Sequence, residues 1–373
     1  MKAPLRTWIE VDGAALRHNL SFLHKRADGA RIVAAVKANA YGHGLLPVAR
    51  ELAAAASPVA ACGVADVDEL RALRRGRGWV RPVLLLSAAQ KEEMEEIVSL
   101  RGWPTLSTVQ EARWLAAAAR KLGRTAEAHF KVDTGMGRLG LPPEEAVAAL
   151  RAVLRLPGLR IGGLCSHCAA ADDDPAFTRR QARVFHAWRA AFPEIPWHLE
   201  NSAALLSGAA TDGGRHGDWV RPGLALYGLG PRPEDEPLLR PVLSLKARLT
   251  LVRRLPAGRT ISYGATYRLP RPQTLAVVAA GYGDGYPRAL SNRADVLVRG
   301  VRCPVRGRVT MDQIIVDVSG APGARSGDAA VLLGRQDGEE IAARELAEKA
   351  GTISYEIVTR LAERLPRRYL RWS

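Results

Sequence analysis

The sequence predicts a (β/α)8 TIM barrel followed by a mainly β C-terminal domain. Three observations predict it. Apolar runs of strand length alternate with helical patterns over the first two-thirds of the chain. A Pro-rich, charged stretch, Pro231–Pro241, then interrupts that texture. Beyond it, short alternating segments are separated by turn residues. The expected organisation is an N-terminal strand at 1–11 joining the β domain, a barrel over 12–238, and a mainly β domain over 239–373.

The barrel strands are expected at Arg31–Val36, Val59–Val64, Val80–Leu86, Pro104–Ser107, Ala126–Val132, Leu159–Ser166, Pro196–Glu200 and Trp219–Tyr227. Most precede an amphipathic or Ala-rich helical stretch. Asp12 is placed to N-cap a helix that carries Leu16, Leu20 and Leu23 on one side. Asp66, Asp68 and Glu69 open another, where the helix dipole favours acidic residues. Helices are also expected over Glu111–Leu122 and Pro142–Leu154. A doubly wound open sheet is the alternative architecture. No G-x-G-x-x-G opens the first crossover helix, which argues against a dinucleotide-binding version. In the C-terminal part, strands are expected at Leu243–Leu251, Leu275–Ala279, Val296–Val298, Gln313–Val318 and Ala330–Leu333. A helix at Glu340–Ala350 and another from Tyr355 toward Leu365 follow. No internal repeat is visible.

The 373 residues are 47% hydrophobic and 25% charged, the balance of an ordinary soluble globular enzyme. The net charge of +16 raises the possibility of nucleic-acid binding. The arginines are dispersed, however, with only short groups such as Arg74, Arg75, Arg77 and Arg364, Arg367, Arg368. No zinc-finger spacing, basic-zipper heptad or RNA-recognition signature accompanies them. No nucleic-acid partner is expected, although the charge helps attract an anionic cofactor. Four cysteines do not make a disulfide framework. Cys165-Ser-His-Cys168 fits C-x-x-C but lacks a second ligand pair, so no metal site is expected. The first twelve residues lack a signal-peptide core, and no run has membrane-spanning length. A cytoplasmic protein without a membrane partner is expected.

Barrel enzymes carry their chemistry at the C-terminal ends of the strands. Lys37 directly follows Ile32–Val36 and precedes the small-residue segment Ala38-Asn39-Ala40-Tyr41-Gly42-His43-Gly44. Lysine is scarce here (Lys2, Lys25, Lys37, Lys91, Lys121, Lys131, Lys246, Lys349), so one in apolar surroundings stands out. An amine there can have a depressed pKa and suit imine formation. Position alone equally allows a snorkelling or ion-paired lysine. Lys131 ends the fifth expected strand and His167 the sixth. Asn201 and Ser202 end the seventh, and Arg221, Pro222 and Gly223 lie at the eighth. Phosphate commonly sits near the last loops of such barrels. Ser202 and the amides around Gly223 and Leu224 are in place for it. A lysine imine facing a phosphate site suggests pyridoxal phosphate.

Over nearly its whole length the chain resembles the bacterial alanine racemase family, the pyridoxal-phosphate enzymes of fold type III. Val36–Gly44 resembles that family's cofactor-lysine signature. Asp133–Gly140, Asn201–Ala204, Arg221–Gly223, Ser262–Tyr267, Gly281–Tyr286, Gly307–Gln313 and Ser354–Glu356 follow in the family's order. The resemblance implies interconversion of L- and D-alanine by two bases, supplying D-alanine for peptidoglycan. Lys37 would hold the cofactor as an imine and serve one face. Tyr263 would serve the other, entering from the partner subunit of a homodimer together with Met311. Tyr41, Ser202 and Tyr355, with the amides of Gly223 and Leu224, would hold the phosphate. Arg221 would face the pyridine nitrogen, and His167 would link Arg221 to Tyr263. Arg138 and Met311 would bind the substrate carboxylate. Lys131 would match a lysine often carbamylated in the family, and Tyr282 and Asp312 would support the site. Tyr282 and Tyr355 suggest a pocket tight enough to favour alanine. Lysine and tyrosine titrate near pH ~10, so each needs help from its surroundings to act at neutral pH. Arginine stays protonated. The ring nitrogen facing it would therefore stay unprotonated, a weaker electron sink that suppresses transamination. A broad-specificity amino-acid racemase and a non-catalytic pyridoxal-phosphate-binding protein are the alternatives. The second resembles only the barrel, which the segments around Tyr263 and Met311 oppose.

Overall fold

A computed structural model describes residues 5–54, 57–76, 78–211 and 214–372. Residues 1–4 of the expected N-terminal strand segment, and Arg77 of the basic group, lie outside the described residues. The described chain opens with strand β1 (Thr7–Asp12) and helix α1 (Gly13–Arg26). Asp12 caps that helix, its Oδ1 accepting from the amides of Ala14 (2.9 Å) and Ala15 (3.2 Å). Two compact units follow from the fold. One comprises Leu16–Ala40 and Gly44–Arg240; the other takes in the chain up to Ala15, Tyr41–His43 and the chain from Pro241.

The first unit is a closed barrel of eight parallel strands: β2 (Arg31–Ala35), β3 (Val59–Val64), β4 (Val83–Leu85), β5 (Gly102–Leu106), β6 (Ala126–Lys131), β7 (Leu159–Cys165), β8 (Trp197–His198) and β9 (Trp219–Val220). Each pairs with the next in sequence. Closure comes from β9 against β2, with Arg31 opposite Trp219 and Ile32 opposite Val220. Both faces of these strands are covered, which is why they read as apolar runs. Val33, Ala61, Leu84 and Trp219 pack together in the buried core. The outer helices start where short polar side chains can cap them. Asp66 Oδ1 accepts from the Glu69 amide at 2.9 Å, and Thr108 forms a reciprocal box with Glu111 ahead of the helix Val109–Lys121.

Three barrel strands are much shorter than expected. β8 keeps only Trp197 and His198 of the expected Pro196–Glu200, and the Leu199 carbonyl just beyond them accepts from Arg221 Nη2 (3.0 Å) rather than from a neighbouring strand. β4 begins only at Val83, because Arg81 instead sends its guanidinium to the carbonyl of Val59 (2.5 Å) and Pro82 has no amide to give a ladder. β9 stops at Val220, and Leu224–Tyr227 is a 3-10 turn. Pro222 breaks the strand, and Gly228 in the left-handed region ends the turn.

The second unit is built on the long strand β10 (Leu243–Leu255). β1 lies between β10, to which it runs antiparallel, and Arg367–Leu370, to which it runs parallel. The first half of β10 also pairs with Ala329–Gln336, and the second half pairs with Gln273–Val278 after an irregularity at Leu249–Leu251. Gln273–Val278 in turn pairs with Ile314–Asp317. The expected helix Glu340–Ala350 begins only at Ala343, since Glu339–Ile341 is a strand. Asp337 and Gly338 both have positive φ, 50° and 91°. That pair makes a tight hairpin turn that folds Glu339 back against Gln336. The last expected helix is confined to Ser354–Thr359.

Candidate active site

Lys37 lies two residues beyond the end of β2. The residues after it do not form an irregular loop. Ala38, Asn39 and Ala40 have φ/ψ of 53/53°, 54/47° and 53/52°, and Tyr41 continues with φ 52°. This is a turn of left-handed helix made without glycine. Each such residue costs about 1–2 kcal/mol, so the surroundings must hold it. The amide of Ala40 donates to the carbonyl of Val36 at 2.8 Å, and Gly44 donates to that of Asn39 at 2.9 Å. Glu69 Oε1 accepts from the Asn39 amide at 3.0 Å, and Asn39 Oδ1 accepts from the Leu45 amide at 2.7 Å.

The Lys37 side chain is partly buried. Among the described residues it forms no hydrogen bond or ion pair, and its pKa is lowered. Burial is the main cause, followed by the Arg138 charge; Glu69 opposes and Arg221 adds to the lowering. Arg138 itself is exposed, at the end of a loop organised by Asp133. The Asp133 carboxylate accepts from the amides of Gly135 (2.8 Å), Met136 (2.7 Å) and Arg138 (3.2 Å). Lys131, at the end of β6, is buried without an ion-pair partner among the described residues, and burial lowers its pKa.

Arg221 is buried just past β9. Its Nη2 donates to the carbonyls of Ser166 (2.7 Å) and Leu199 (3.0 Å) and faces His167 Nδ1 at 3.3 Å. Its Nη1 donates to His198 Nδ1. Burial first, then Arg221, holds both imidazoles well below their ordinary pKa, so both are neutral. Ser202 starts a short helix capped by Asn201, whose Oδ1 accepts from the Ala204 amide at 3.0 Å. Ser202 Oγ accepts from the amides of Gly223 (2.9 Å) and Ala225 (3.2 Å). Its own proton therefore remains to be donated. Leu224 opens the adjoining 3-10 turn. The barrel unit thus gathers Lys37, Arg138, Lys131, His167, Ser202, Arg221, Gly223 and Leu224 around its strand ends.

The remaining site candidates belong to the second unit. Tyr263 sits in a strained turn, with Ser262, Gly264 and Ala265 at φ 62°, 72° and 48°. Ser262 Oγ fastens it to the carbonyl of Arg308 at 2.8 Å. The Tyr263 ring is 75% exposed, and Met311 is 54% exposed. The Met311 loop is held to the Tyr282 loop by hydrogen bonds from the Tyr282 amide to the Thr310 carbonyl (2.9 Å) and from the Gly283 amide to the Met311 carbonyl (2.8 Å). A Cβ on Gly281 would fall 2.2 Å from the Thr310 carbonyl, so this approach requires glycine. Arg364 binds Asp284 (2.8 Å) and reaches Asp312 (3.4 Å). Tyr41 and Tyr355 lie with ring centroids 6.1 Å apart. Burial raises the Tyr41 pKa, with Tyr355 adding to it, so its phenol stays protonated.

Sequence reasoning missed Glu69 as a brace for the lysine segment, crediting it only to a helix start. It also gave no place to His129, which lies buried in β6 with Nδ1 2.6 Å from His198 Nε2. Its signal was available: in β6, His129 shares a face with Lys131.

The chain matches the family model for the alanine racemase N-terminal domain over residues 11–231 and that for the C-terminal domain over 242–369. An alanine racemase from Methylacidiphilum infernorum is 42% identical over 98% of this chain and 92% of its own. The crystal structure of the alanine racemase from D-cycloserine-producing Streptomyces lavendulae superimposes with a TM-score of 0.90 at 38% identity, over 99% of this chain and 98% of its own. That of Bartonella henselae, with covalently bound pyridoxal phosphate, gives 0.89 at 28% identity, over 98% of this chain and 100% of its own. A (β/α)8 barrel with a lysine at the end of its first strand, followed by a β domain, is the framework of a pyridoxal-phosphate-dependent isomerase. The chain belongs to the alanine racemase family. No helix among the described residues is long and apolar enough to cross a membrane.

Proposed function

We propose that this chain interconverts L- and D-alanine, with Lys37 and Tyr263 as the two bases. The observation that carries the reading is the Lys37 amine: partly buried, unpaired, at the C-terminal end of a barrel strand, with its pKa lowered by burial and by two arginines. The donor set fits pyridoxal phosphate. It contains one amine able to bond to an aldehyde, a guanidinium without any acceptor, and a serine hydroxyl held beside a turn of backbone amides. When bound, the cofactor supplies the electron sink that makes the α-proton removable.

Lys37 would hold the cofactor, and its Nζ would take or return the α-proton on one face. Its lowered pKa favours the neutral amine that can accept a proton. Tyr263 Oη would do the same on the other face. Arg221 would direct N–H donors at the ring nitrogen and keep a proton off it, which restrains transamination. His167 would carry the contact onward from Arg221 toward the Tyr263 phenol. Ser202 and the amides of Gly223 and Leu224 would hold the phosphate, with Tyr41 and Tyr355 as further donors. Arg138 and the Met311 amide would bind the substrate carboxylate. Carbamylation of Lys131 would turn an unpaired buried cation into an anion that pairs with Arg138. Tyr282 and Asp312 would shape the surroundings of the Met311 loop. With the expected boundaries, 12–238 would supply most of the cofactor contacts, and 239–373 would supply the second base and the phosphate donor Tyr355.

A homodimer belongs to this reading, with Tyr263 and Met311 given to the partner's site. The exposure of both side chains in one chain supports it. The product would supply D-alanine for peptidoglycan, in the cytoplasm. The deciding experiment measures D-alanine formed from L-alanine by purified protein, with and without added pyridoxal phosphate, beside other L-amino acids. Cofactor-dependent conversion that prefers alanine is expected. Preference for other amino acids would make the chain a broad-specificity racemase. Cofactor binding without racemisation would make it a binding protein.

A further inference from the structure

The hydrogen bonds of Arg221 continue into the barrel interior, away from the strand ends. His198 and His129 are both fully buried on neighbouring barrel positions, with ring centroids 4.9 Å apart. Gly163 on β7 makes the room: a Cβ there would stand 2.7 Å from His129 Nδ1. Trp103 stacks on the other side of the His129 ring, at 5.4 Å and 25°.

The chemistry of these groups fixes a direction. A guanidinium only donates, so His198 Nδ1, which faces Arg221 Nη1, accepts. A neutral imidazole carries one N–H, which His198 must then hold on Nε2. That N–H points at His129 Nδ1, 2.6 Å away. His129 Nδ1 is therefore an acceptor too, and its proton sits on Nε2. Nε2 of His129 is buried and has no hydrogen-bond partner among the described residues. The charged and titratable groups that act on the pair are Arg221, Arg160, Lys131 and His167. None favours a second proton on either ring, and burial depresses the His129 pKa to about 3.

We propose that His129 is a positioning residue for Arg221, acting through His198 in a one-way relay Arg221→His198→His129. The acceptor at His129 Nδ1 pins the His198 N–H to Nε2, and this keeps His198 Nδ1 open to the guanidinium. Without that acceptor, a fully buried N–H is left unsatisfied. His198 then gains by turning or by moving its proton to Nδ1, where the N–H would oppose Arg221. The functional consequence rests on the reading that Arg221 faces the cofactor's ring nitrogen; the relay itself does not.

The test has two arms. Nitrogen-15 NMR of histidine-labelled full-length protein, without and with pyridoxal phosphate, reads the tautomers directly. Both rings are expected neutral with the proton on Nε2 throughout pH 6 to 8. A proton on Nδ1 of either ring, or titration in that range, overturns the relay. The second arm compares His129→Leu with His129→Asn, whose Oδ1 can replace Nδ1 as acceptor. Pyruvate released by transamination per D-alanine formed is expected to rise roughly tenfold in His129→Leu, equivalent to about 1.4 kcal/mol, and to fall most of the way back in His129→Asn. A merely structural role predicts the reverse order, because a polar amide suits an apolar cavity less well than leucine. Equal ratios in the two variants, or a worse one in His129→Asn, overturn the positioning role. Arg221→Glu run in parallel separates the two failures. If it leaves the pyruvate ratio unchanged, the cofactor contact of Arg221 is wrong, and the NMR arm alone decides the relay.

Discussion

In the barrel unit, Lys37, Lys131, His167 and Arg221 are partly or wholly shut off from solvent, and burial is the largest influence on the protonation of each. In the β unit, Tyr263 and Met311 stand in solvent on backbone loops that are tightly tied. The barrel presets the charge state of its side chains. The β unit presets only where its side chains begin, leaving the rings and thioether to find their environment elsewhere. A two-base reaction benefits from this division. On the proposed reading, Lys37 has its proton affinity tuned by a fixed interior, and Tyr263 would be delivered by a surface that docks.

Replacing the base on the tuned side should give the largest effect. Lys37→Ala is expected to lower racemisation by roughly 10²–10⁴-fold and to abolish the absorption band of the lysine-linked cofactor. A retained band would show that another amine holds it. Tyr263→Phe should produce a loss of racemisation of similar order in both directions, as an equilibrium constant of one requires, while the solvent exchange of the α-proton of D-alanine, served by Lys37, survives better than that of L-alanine. Equal loss of exchange from the two enantiomers would remove Tyr263 from the L-face.

Mixing those two inactive variants tests whether the exposed side truly serves a neighbour. A mixed dimer of Lys37→Ala and Tyr263→Phe chains carries one intact site. Refolding them together at equal amounts should restore about a quarter of the parent activity, as random pairing requires for a two-fold dimer. No recovery, with mixed dimers demonstrated, would mean that each chain supplies both of its own bases.

A smaller effect concerns the interior alone. His129 has a folded-state pKa of about 3, against 6.5 for a free histidine. Between those values the unfolded chain binds more protons, so stability rises with pH and is lost as pH falls. The contribution of His129 should drop by about 2 kcal/mol between pH 7 and pH 5, with His198 acting in the same direction. Urea unfolding midpoints at the two pH values check this, and His129→Asn should flatten the slope. The smallest effect tests the left-handed turn. Ala38 is exposed at φ 53°. Ala38→Gly should therefore raise stability by about 1 kcal/mol or less, measured by the same midpoints. A decrease would mean that the turn is not strained at that residue.

Legibility in the sequence tracked how local the cause was. Strands such as Val59–Val64 were readable because burial on both faces makes a run apolar regardless of partners. The Asp12 cap was readable because a helix start needs only a neighbouring oxygen, and the helix start at Asp66 was readable from the acidic residues that its dipole favours. The left-handed turn was not, since Ala38-Asn39-Ala40 contains no glycine to announce positive φ, and its braces include Glu69, thirty residues on. Strand ends near Pro82 and Pro222 were misjudged because hydrophobicity continues past the point where the ladder loses an amide. The site's polar residues at strand ends were legible from the barrel rule. His129 was not, because its use depends on a histidine two strands away and on the missing Cβ of Gly163.

The seam between β1 and Arg367–Leu370 has a bearing on how the molecule is made. Arg367 Nε donates to the Gly42 carbonyl at 2.9 Å, and Tyr369 Oη donates to that of His43 at 3.2 Å. The stretch that follows Lys37 is thus clasped by residues more than 320 positions further along the chain. A nascent chain can complete the eight strands of its barrel while that clasp is still in the exit tunnel. A barrel made without residues 367–370 would keep the Glu69 and Asn39 bonds of its left-handed turn and lose the hold on Gly42 and His43.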